Sequence, residues 1–339
     1  MNKTAKKTIA QKLFYVLKIL ISISLLTYLL LQIDWEKSFN TIRNANFIWL
    51  AVAILFSLLD MMLLTYKWNL LLKVRGMFVS FWRLFTINMI GGFWGLFLPS
   101  SLSTDVVRGY YLIKSSSDKA ISITSIFVDR LFAMFALFAF VGTGLFFSGD
   151  ILKDLHIGFY IIGFFVLSAI GVIVLNSNKF SRLMQNFDER FSNNNLVNKV
   201  IKLRSALIEY SKYPSTLLYS FVVSLAIQLE RVFWYIAIAW AFGVEIPIVY
   251  YFIFCPLIIV ILMIPVSIGG LGVREGAFVA LFTLVGMKMD DAVIISFTSS
   301  LIANLFTISG GLFYLIYKSD HKIEDIKSAK IQINETEQT

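Results

Sequence analysis

Apolar residues occur along this chain in long runs, with polar and charged residues collected between them. The long runs lie at 13–33, 47–66, 81–98, 121–147, 156–175, 215–242, 247–264 and 292–317, and a shorter one lies at 277–287. A helix needs roughly 20 predominantly apolar residues to cross a bilayer. The pattern therefore predicts an all-α, polytopic integral membrane helix bundle with about seven to nine membrane segments.

The composition supports a membrane protein. Hydrophobic residues make up 58% of the chain and charged residues 15%, with a mean hydropathy of +0.77, whereas soluble domains carry roughly 25% charged residues. The net charge of +9 does not indicate nucleic acid, because Lys and Arg cluster in short loops and tails beside the apolar runs. Cys255, His156 and His321 are too few and too scattered for a disulfide framework or a thiolate metal site. We expect no metal and no cofactor.

The chain divides into a membrane domain at 1–318 and a polar tail at 319–339. The first run is too long for a signal peptide and no small-residue cleavage site follows it, so we expect a retained span. The tail is predicted to be disordered or to form a short surface helix. Within the membrane domain, the segment 176–213 alternates apolar and basic residues at helical spacing. This predicts cytoplasmic amphipathic helices that lie on anionic headgroups or cap the bundle.

Positive charges predict which loops face the cytoplasm. The N-terminal tail, the loop after the second run, the segment 176–213 and the C-terminal tail are all basic, so we expect both termini to be cytoplasmic in the plasma (inner) membrane. The basic residues after the second run are Lys67, Lys73, Arg75 and Arg83. However, three apolar runs separate the two basic loops, and three crossings would put the second loop outside.

This conflict disappears if one run enters and leaves the membrane from the same side. The run 81–98 is the candidate, because it contains three glycines and leads into Pro99. The same conflict arises later and is resolved if 247–287 forms a second hairpin. The first re-entrant hairpin would open toward the cytoplasm and the second toward the outside, as in an inverted-topology repeat. A full crossing at 247–264 with a return at 277–287 gives the same count.

The second hairpin carries the first candidate site, in the stretch from Pro265 to Gly276. Its candidate substrate-binding residues are Ser267, Gly269, Gly270, Gly272, Arg274 and Glu275. A glycine turn that leads into a helix N-terminus presents N–H groups and a positive dipole end to a phosphate. An arginine in the first turn adds a bidentate donor, and an acidic neighbour suits the same helix end. Alternatively, the glycines allow close helix packing and the charged pair is structural.

The first hairpin has the same frame, because Arg108 follows Pro99 by nine residues, as Arg274 follows Pro265. Ser103 or Thr104 can cap a helix whose first turn holds Asp105. Arg108 then lies one turn inside that helix, as a second candidate phosphate ligand. The alternative is an ordinary cap with an arginine that reaches the interface.

Five ionisable residues lie inside apolar runs: Asp60, Asp129, Arg130, Glu230 and Arg231. An unpaired charge there costs roughly 2.5–3.5 kcal/mol on insertion scales. Adjacent residues on a helix point about 100° apart, so we expect each member of this charge network to reach a partner on another helix or to line a polar cavity. Asp60 is the proton-relay candidate, with a structural hydrogen bond as the alternative.

These residues resemble the lysylphosphatidylglycerol synthase transmembrane (flippase-like) family over roughly 10 to 318. The pattern Pro265-x-Ser267-x-Gly269-Gly270-x-Gly272-x-Arg274-Glu275 carries the resemblance, and three shorter motifs support it: Pro99…Asp105-x-x-Arg108-x-Tyr110, Asp129-Arg130 and Gln228-x-x-Arg231. Ser103-Thr104 departs from the family, which often has glycine there. The resemblance implies an inner-membrane protein that moves a phosphate-bearing lipid between leaflets. Larger members add a soluble aminoacyl-transferase, which this sequence lacks, so lipid lysylation is not expected.

The sequence thus favours a non-enzymatic lipid translocase for a lipid such as an aminoacylated phospholipid or a polyprenyl or glyco-phospholipid. Its expected partners are membrane lipids with anionic phosphate headgroups and no nucleic acid, with a homo-oligomer or a separate lipid-modifying enzyme as further partners. Two alternatives stay open. One is an integral-membrane transferase that uses a lipid-linked donor with Asp129 or Asp105 as base. The other is a non-catalytic partner that recruits a synthase or glycosyltransferase through 176–213.

Overall fold

The computed structural model describes residues 3–32, 34–97, 103–115, 118–147, 208–263, 267 and 270–336. Within these residues the regular structure is entirely helical. The helices are α1 (Lys3–Leu31), α2 (Trp35–Arg43), α3 (Phe47–Val74), α4 (Phe81–Phe97), α5 (Ser103–Ser115), α6 (Lys119–Phe147), α7 (Pro214–Ala241), α8 (Ile248–Met263), α9 (Val273–Thr283) and α10 (Met289–Thr336). The predicted run 156–175 and most of the amphipathic segment 176–213 lie outside the described residues.

Four described helices are long and apolar enough to cross a membrane: Phe47–Val74, Lys119–Gly144, Pro214–Ala241 and Met289–Tyr317. The pair Leu17–Leu31 and Trp35–Arg43, bent by 88°, gives a fifth if it is counted as one span. This confirms a polytopic helical bundle. The prediction of seven to nine covers the whole chain, and its run 156–175 lies outside the described residues. Among the described helices, α4, α8 and α9 are too short for a full span, with 17, 16 and 11 residues.

Helices α3 and α7 form an antiparallel pair. At one end the Asn46 N–H donates to Ala241 O at 2.7 Å. At the other end, Arg75 forms an ion pair with Glu209 just before α7 begins. We call these two levels of the bundle the Asn46 end and the Arg75 end. The described end of the segment 176–213, residues 208–213, therefore lies at the same end of the bundle as the loop that follows α3.

Tyr210 holds the segment that precedes α7 against the end of α3. Its hydroxyl donates to Leu71 O at 3.0 Å, and the Arg75 guanidinium lies 5.3 Å from the centre of its ring. Burial raises the pKa of Tyr210, so the phenol stays a neutral donor. The described part of the 176–213 segment thus packs against the end of the bundle.

Helix α4 enters the bundle from the Arg75 end. The Asn69 side chain donates to Val79 O just before α4 begins, at 3.2 Å. Deeper in the bundle, Asn88 Nδ2 donates to Thr65 Oγ1 at 2.8 Å. Contacts that run forward along α4 therefore run backward along α3, so the two helices are antiparallel.

Helix α5 returns along α4 to the same end. A Cβ built on Gly95 would lie 2.2 Å from Thr104 Oγ1, and one built on Gly91 would lie 2.7 Å from Arg108 Cγ. These approaches require glycine and show that α4 and α5 run antiparallel. Near the exit, Leu112 belongs to one buried cluster with residues of the Arg75 end: Trp68, Leu72, Met77 and Leu84. The α4–α5 hairpin thus enters and leaves at the Arg75 end.

Helices α8 and α9 form the second hairpin, which opens at the Asn46 end. Six residues separate the end of α7 from the start of α8. Near this opening the rings of Tyr251 and Phe282 lie 4.8 Å apart. Near the tip, Leu262 Cδ2 lies 3.0 Å from the position of a Cβ built on Gly270. The two hairpins therefore open at opposite ends, which is the arrangement that the parity argument requires.

Helix α10 runs the length of the bundle and continues beyond it. Asp290, at its start, accepts from the Asp34 N–H at 3.1 Å, and Tyr317 lies 5.3 Å from the ring of Tyr111 at the Arg75 end. The helix continues to Thr336. Its last part runs through the predicted polar tail as a continuation of the same helix.

Small residues bring α4 and α10 together. A Cβ built on Gly310 would lie 2.2 Å from Met89 O, so the two backbones are nearly in contact, as is common where membrane helices pack. The opposite side of α10 is exposed and apolar, at Leu301, Leu305, Ile308, Leu312 and Leu315. Such a stripe is suited to lipid tails.

Candidate functional site

The α4–α5 hairpin tip borders a cavity of about 160 Å³ inside the bundle. Its polar walls come from five helices, α3 to α7: Lys67, Asn88, Thr104, Arg108, Asp129, Arg130, Ser224, Gln228 and Arg231. We call this the Arg108 cavity. Four predicted residues, Arg108, Asp129, Arg130 and Arg231, come together here from three helices, α5, α6 and α7.

Arg108 is held by both charge and stacking. It is 5% exposed, and its NH1 lies 3.1 Å from Asp105 Oδ1 and 3.6 Å from Asp129 Oδ2. The guanidinium carbon lies 4.2 Å from the centre of the Trp68 ring, a cation–π contact. However, its Nε and NH2 atoms are buried without any hydrogen-bond partner among the described residues. Buried donors are normally satisfied, so two donors at this cavity are available to a ligand.

The cavity carries an excess of positive charge. Asp129 lies 3.0 Å from Lys67 Nζ, and Asp105 lies 2.5 Å from Arg130 Nε. With Arg108 shared between both carboxylates, three cations face two acids, so the cluster is positive by one charge. Burial in a low-dielectric interior strengthens the field of that charge. The arrangement favours an anion.

Asp129 and Arg130 reach different helices, as their spacing on α6 requires. Asp129 faces Lys67 on α3, whereas Arg130 faces Asp105 on α5. The Trp68 indole N–H also donates to Ser125 Oγ of α6 at 3.1 Å, which fixes the ring that supports Arg108. The ion pairs thus bind α3, α5 and α6 together around the cavity.

The α8–α9 hairpin tip borders a second cavity, of about 310 Å³, which we call the Arg274 cavity. Its polar lining comprises Ser57, Asp60, Glu230, Arg231, Trp234, Tyr235, Arg274 and Thr307. Arg274 lies in the first turn of α9. No carboxylate of the described residues lies within 4 Å of its guanidinium.

Met61 and Arg231 line both cavities. Met61 lies halfway along α3, so the two cavities adjoin near the middle of the bundle. Arg231 is held by Asp60, with Nε 2.8 Å from Oδ1 and NH2 3.4 Å from Oδ2. A bidentate pair of this kind is geometrically well defined, and it stands between the two cavities.

The glycine turn before α9 is built for close packing. Gly270 and Gly272 have φ of +81° and +78°, a region that strongly favours glycine. A Cβ on Gly272 would lie 2.8 Å from Ser22 O of α1. The sequence suggested either phosphate binding or close helix packing for these glycines. The structure shows the close packing, at Gly272 against α1. Gly269 lies outside the described residues, and Ser267 lines neither cavity.

Glu275 caps its own helix. It is 1% exposed, and its Oε2 accepts from the Gly272 N–H at 2.6 Å. Its Oε1 accepts from the hydroxyl of Ser300 on α10. Because both oxygens are engaged and Glu275 lines neither cavity, the structure places it beside the candidate site and not in it. Asp105 likewise lines neither cavity and holds Arg108 and Arg130.

The assignment of Lys67 to a basic loop is wrong. Helix α3 continues to Val74, and the Lys67 side chain is 1% exposed in its ion pair with Asp129. The apolar run ends at Tyr66 only because the next residue is charged. The sequence did contain one indication that Lys67 could be buried: an acidic residue, Asp129, lies inside a later apolar run and needs a cationic partner. The contribution of Trp68 had no comparable signal.

The described residues contain no group of three His, Cys, Asp or Glu side chains that could hold a metal ion. Fold and cavities together define a polytopic membrane protein with two hairpins that carry arginines to its centre from opposite ends. The family described as the lysylphosphatidylglycerol synthase TM region matches residues 15–311, and the chain belongs to that family. Comparison with curated proteins and with solved structures gave no match.

Proposed function

We propose that this protein is a membrane lipid translocase that moves a lipid with an anionic phosphate headgroup between leaflets, without chemical conversion. The observation that carries the proposal is the state of Arg108, whose Nε and NH2 are buried at a cavity without a partner. A phosphate oxygen is a natural acceptor for two guanidinium donors. It would also neutralise the excess positive charge of the cluster.

The second hairpin supplies a matching ligand from the other side. Arg274 has no ion-pair partner among the described residues and lines its own cavity. A headgroup held first by one arginine and then by the other would move between the two ends of the bundle. The acyl chains would remain in the bilayer, alongside the apolar outer surface of the helices. Broken helices that meet near the midplane are the common site architecture of membrane transporters.

Charge distribution supports an orientation with the Arg75 end in the cytoplasm of a plasma (inner) membrane. Residues near that end are mainly basic: Lys73, Arg75, Arg83, Lys114, Lys119 and Lys212. Near the Asn46 end acidic residues outnumber basic ones: Asp34, Glu36, Glu245, Asp290 and Asp291 against Lys37, Arg43 and Lys288. Basic loops are retained on the cytoplasmic side. Both termini would then be cytoplasmic, since α10 ends toward the Arg75 end and α1 runs from there toward the Asn46 end.

The test is leaflet exchange in liposomes. The purified protein is reconstituted with fluorescent phosphoglycolipids, and a membrane-impermeant quencher reports the fraction that reaches the outer leaflet over time. We expect exchange faster than in empty liposomes. Arg108→Gln and Arg274→Glu should each abolish the acceleration, because each removes a central phosphate ligand.

Arg83→Gln is the matched control. Arg83 lies on the same hairpin as Arg108 but is exposed, so this variant should exchange lipid like the unmodified protein. The proposal is wrong if the protein gives no acceleration over empty liposomes. It is equally wrong if the two cavity variants exchange lipid as fast as Arg83→Gln.

A further inference from the structure

Gln228 is a buried amide on the wall of the Arg108 cavity. It lies on α7, is 2% exposed and lines that cavity. Its Oε1 has no hydrogen-bond partner among the described residues. A buried carbonyl oxygen without a donor is unfavourable, so this atom is an acceptor that a ligand of the cavity can satisfy.

Other polar groups of the cavity wall are committed to partners of their own. The Asn88 amide donates to Thr65 Oγ1 at 2.8 Å, and the Ser224 hydroxyl donates to Ser220 O at 2.9 Å. The cationic groups of the wall that pair with carboxylates are Lys67, Arg130 and Arg231. None of these groups donates to Gln228 Oε1, so the acceptor stays open.

Arg108 and Gln228 present complementary parts of a hydrogen-bonding site. Arg108 has two buried donors without partners, Nε and NH2, and Gln228 has an acceptor without a partner on the same cavity. Since these donors do not bond to this acceptor, a ligand that satisfies both residues must offer an acceptor to Arg108 and a donor to Gln228. The phosphate proposed above supplies the acceptor only, because an ionised phosphodiester carries no N–H or O–H group.

The charge of the surrounding cluster favours one kind of donor. The groups around Arg108 carry one excess positive charge, which a phosphodiester monoanion neutralises. An ammonium group next to that phosphate would make the site positive again and would be repelled by the buried cations. A hydroxyl group donates a hydrogen bond without adding charge, so the cavity favours a hydroxyl.

We propose that Gln228 selects the lipid headgroup, and that its Oε1 accepts a hydrogen bond from a hydroxyl of the alcohol esterified to the phosphate. The preferred ligand is then a phosphodiester lipid with a hydroxyl-bearing headgroup. The inference rests on the proposed function for the phosphate that Arg108 holds. It deepens that function by naming the chemical group attached to the phosphate and the residue that recognises it.

The experiment measures binding and compares two lipids that differ only in hydroxyl groups. Short-chain phosphatidylglycerol and phosphatidylpropanol have the same charge and the same headgroup carbon skeleton, but phosphatidylpropanol has no hydroxyl. Isothermal titration calorimetry of the detergent-solubilised protein gives the affinity for each lipid. We expect phosphatidylglycerol to bind about five- to 150-fold more tightly, because phosphatidylpropanol leaves a buried acceptor without a donor. Short-chain phosphatidylethanolamine, whose donor is an ammonium group, should bind more weakly than phosphatidylglycerol.

Gln228→Met keeps the length of the side chain and removes the acceptor. It should abolish the preference, so that phosphatidylglycerol and phosphatidylpropanol bind with about equal affinity. Gln228→Asn keeps a buried amide but withdraws its oxygen by one methylene group, so it should also lose the preference, and it serves if Gln228→Met folds poorly. Gln32→Met is the matched control, at an exposed glutamine that follows α1, and should keep the full preference.

Equal affinities of the two lipids for the unmodified protein would overturn the inference, as would tighter binding of phosphatidylethanolamine. An equal loss of affinity for both lipids in Gln228→Met would also overturn it, because the amide N–H groups would then be holding the phosphate. These outcomes differ from a failure of the proposed function. Absence of leaflet exchange with the preference intact would refute transport alone, and exchange without any preference would refute only the role of Gln228.

Discussion

Lys67 and Asp129 form an ion pair inside the helix bundle, with Lys67 Nζ 3.0 Å from Asp129 Oδ1 and side-chain exposures of 1% and 4%. Asp129 also faces Arg108 at 3.6 Å. The pair therefore joins α3 to α6. It also contributes to the charge around Arg108, the residue proposed above to bind phosphate. Removing one partner leaves a buried charge, which is far more costly than removing an exposed pair.

We expect Lys67→Leu to destabilise the protein by about 3–5 kcal/mol, because Asp129 would keep only its longer contact with Arg108. The measurement is thermal unfolding in detergent, followed by tryptophan fluorescence. Lys37→Leu is the control, since the Lys37–Asp34 pair is 74% and 41% exposed and such pairs contribute about 0–1 kcal/mol. Equal stability of the two variants would show that Lys67 is not buried in an ion pair.

Gly310 predicts a sharp difference between two glycine substitutions. In Gly310→Ala the new Cβ would meet Met89 O at 2.2 Å, so α4 and α10 must separate, at a cost of about 1–3 kcal/mol or more. Gly276→Ala has no atom within 4 Å of the new Cβ and should be neutral or stabilising, because alanine is about 1 kcal/mol better than glycine within a helix. Unfolding temperatures of both variants check this. A stable Gly310→Ala would refute the close approach of the two helices.

The opposite hairpins predict a labelling pattern. Single cysteines are introduced at exposed positions by Phe78→Cys and Lys212→Cys at the Arg75 end, and by Glu36→Cys and Glu245→Cys at the Asn46 end. The native Cys255 is buried and should not react. In whole cells, a membrane-impermeant maleimide should label the second pair and leave the first pair unlabelled until the membrane is opened. If the two cysteines of either pair differ in labelling of intact cells, those two positions do not lie at the same end of the bundle.

The ring of Trp68 predicts graded effects on transport. Trp68→Leu removes the cation–π contact with Arg108, worth about 0.5–2 kcal/mol, and should slow leaflet exchange by roughly two- to thirtyfold. Trp68→Phe keeps a ring under the guanidinium but loses the hydrogen bond to Ser125, so it should lose about 1 kcal/mol of stability and less activity. The control is Trp82→Leu at a 65% exposed ring, which should leave the exchange rate unchanged. The same rate in Trp68→Leu and Trp82→Leu would exclude a supporting role for the stacked ring.

The polytopic helical bundle could be predicted from the sequence, and Arg108 and Arg274 could be selected as charges that follow interrupted apolar runs. Such predictions are possible because the lipid hydrocarbon excludes a backbone without internal hydrogen bonds, and because charged residues are rare within a membrane span. The same logic failed at Lys67. A charged residue ends an apolar run, but it does not end the helix when an oppositely charged residue inside the bundle can pair with it.

The sequence by itself determined which segments enter the membrane, because the transfer energy of a side chain depends on that side chain and its near neighbours alone. Only the tertiary structure decided that Asp129 pairs with Lys67, that Trp68 supports Arg108, and that Arg231 is committed to Asp60. The two ion pairs, Lys67–Asp129 and Arg231–Asp60, join residues 62 and 171 positions apart along the chain, and they depend on which helices pack side by side. No local pattern encodes that choice.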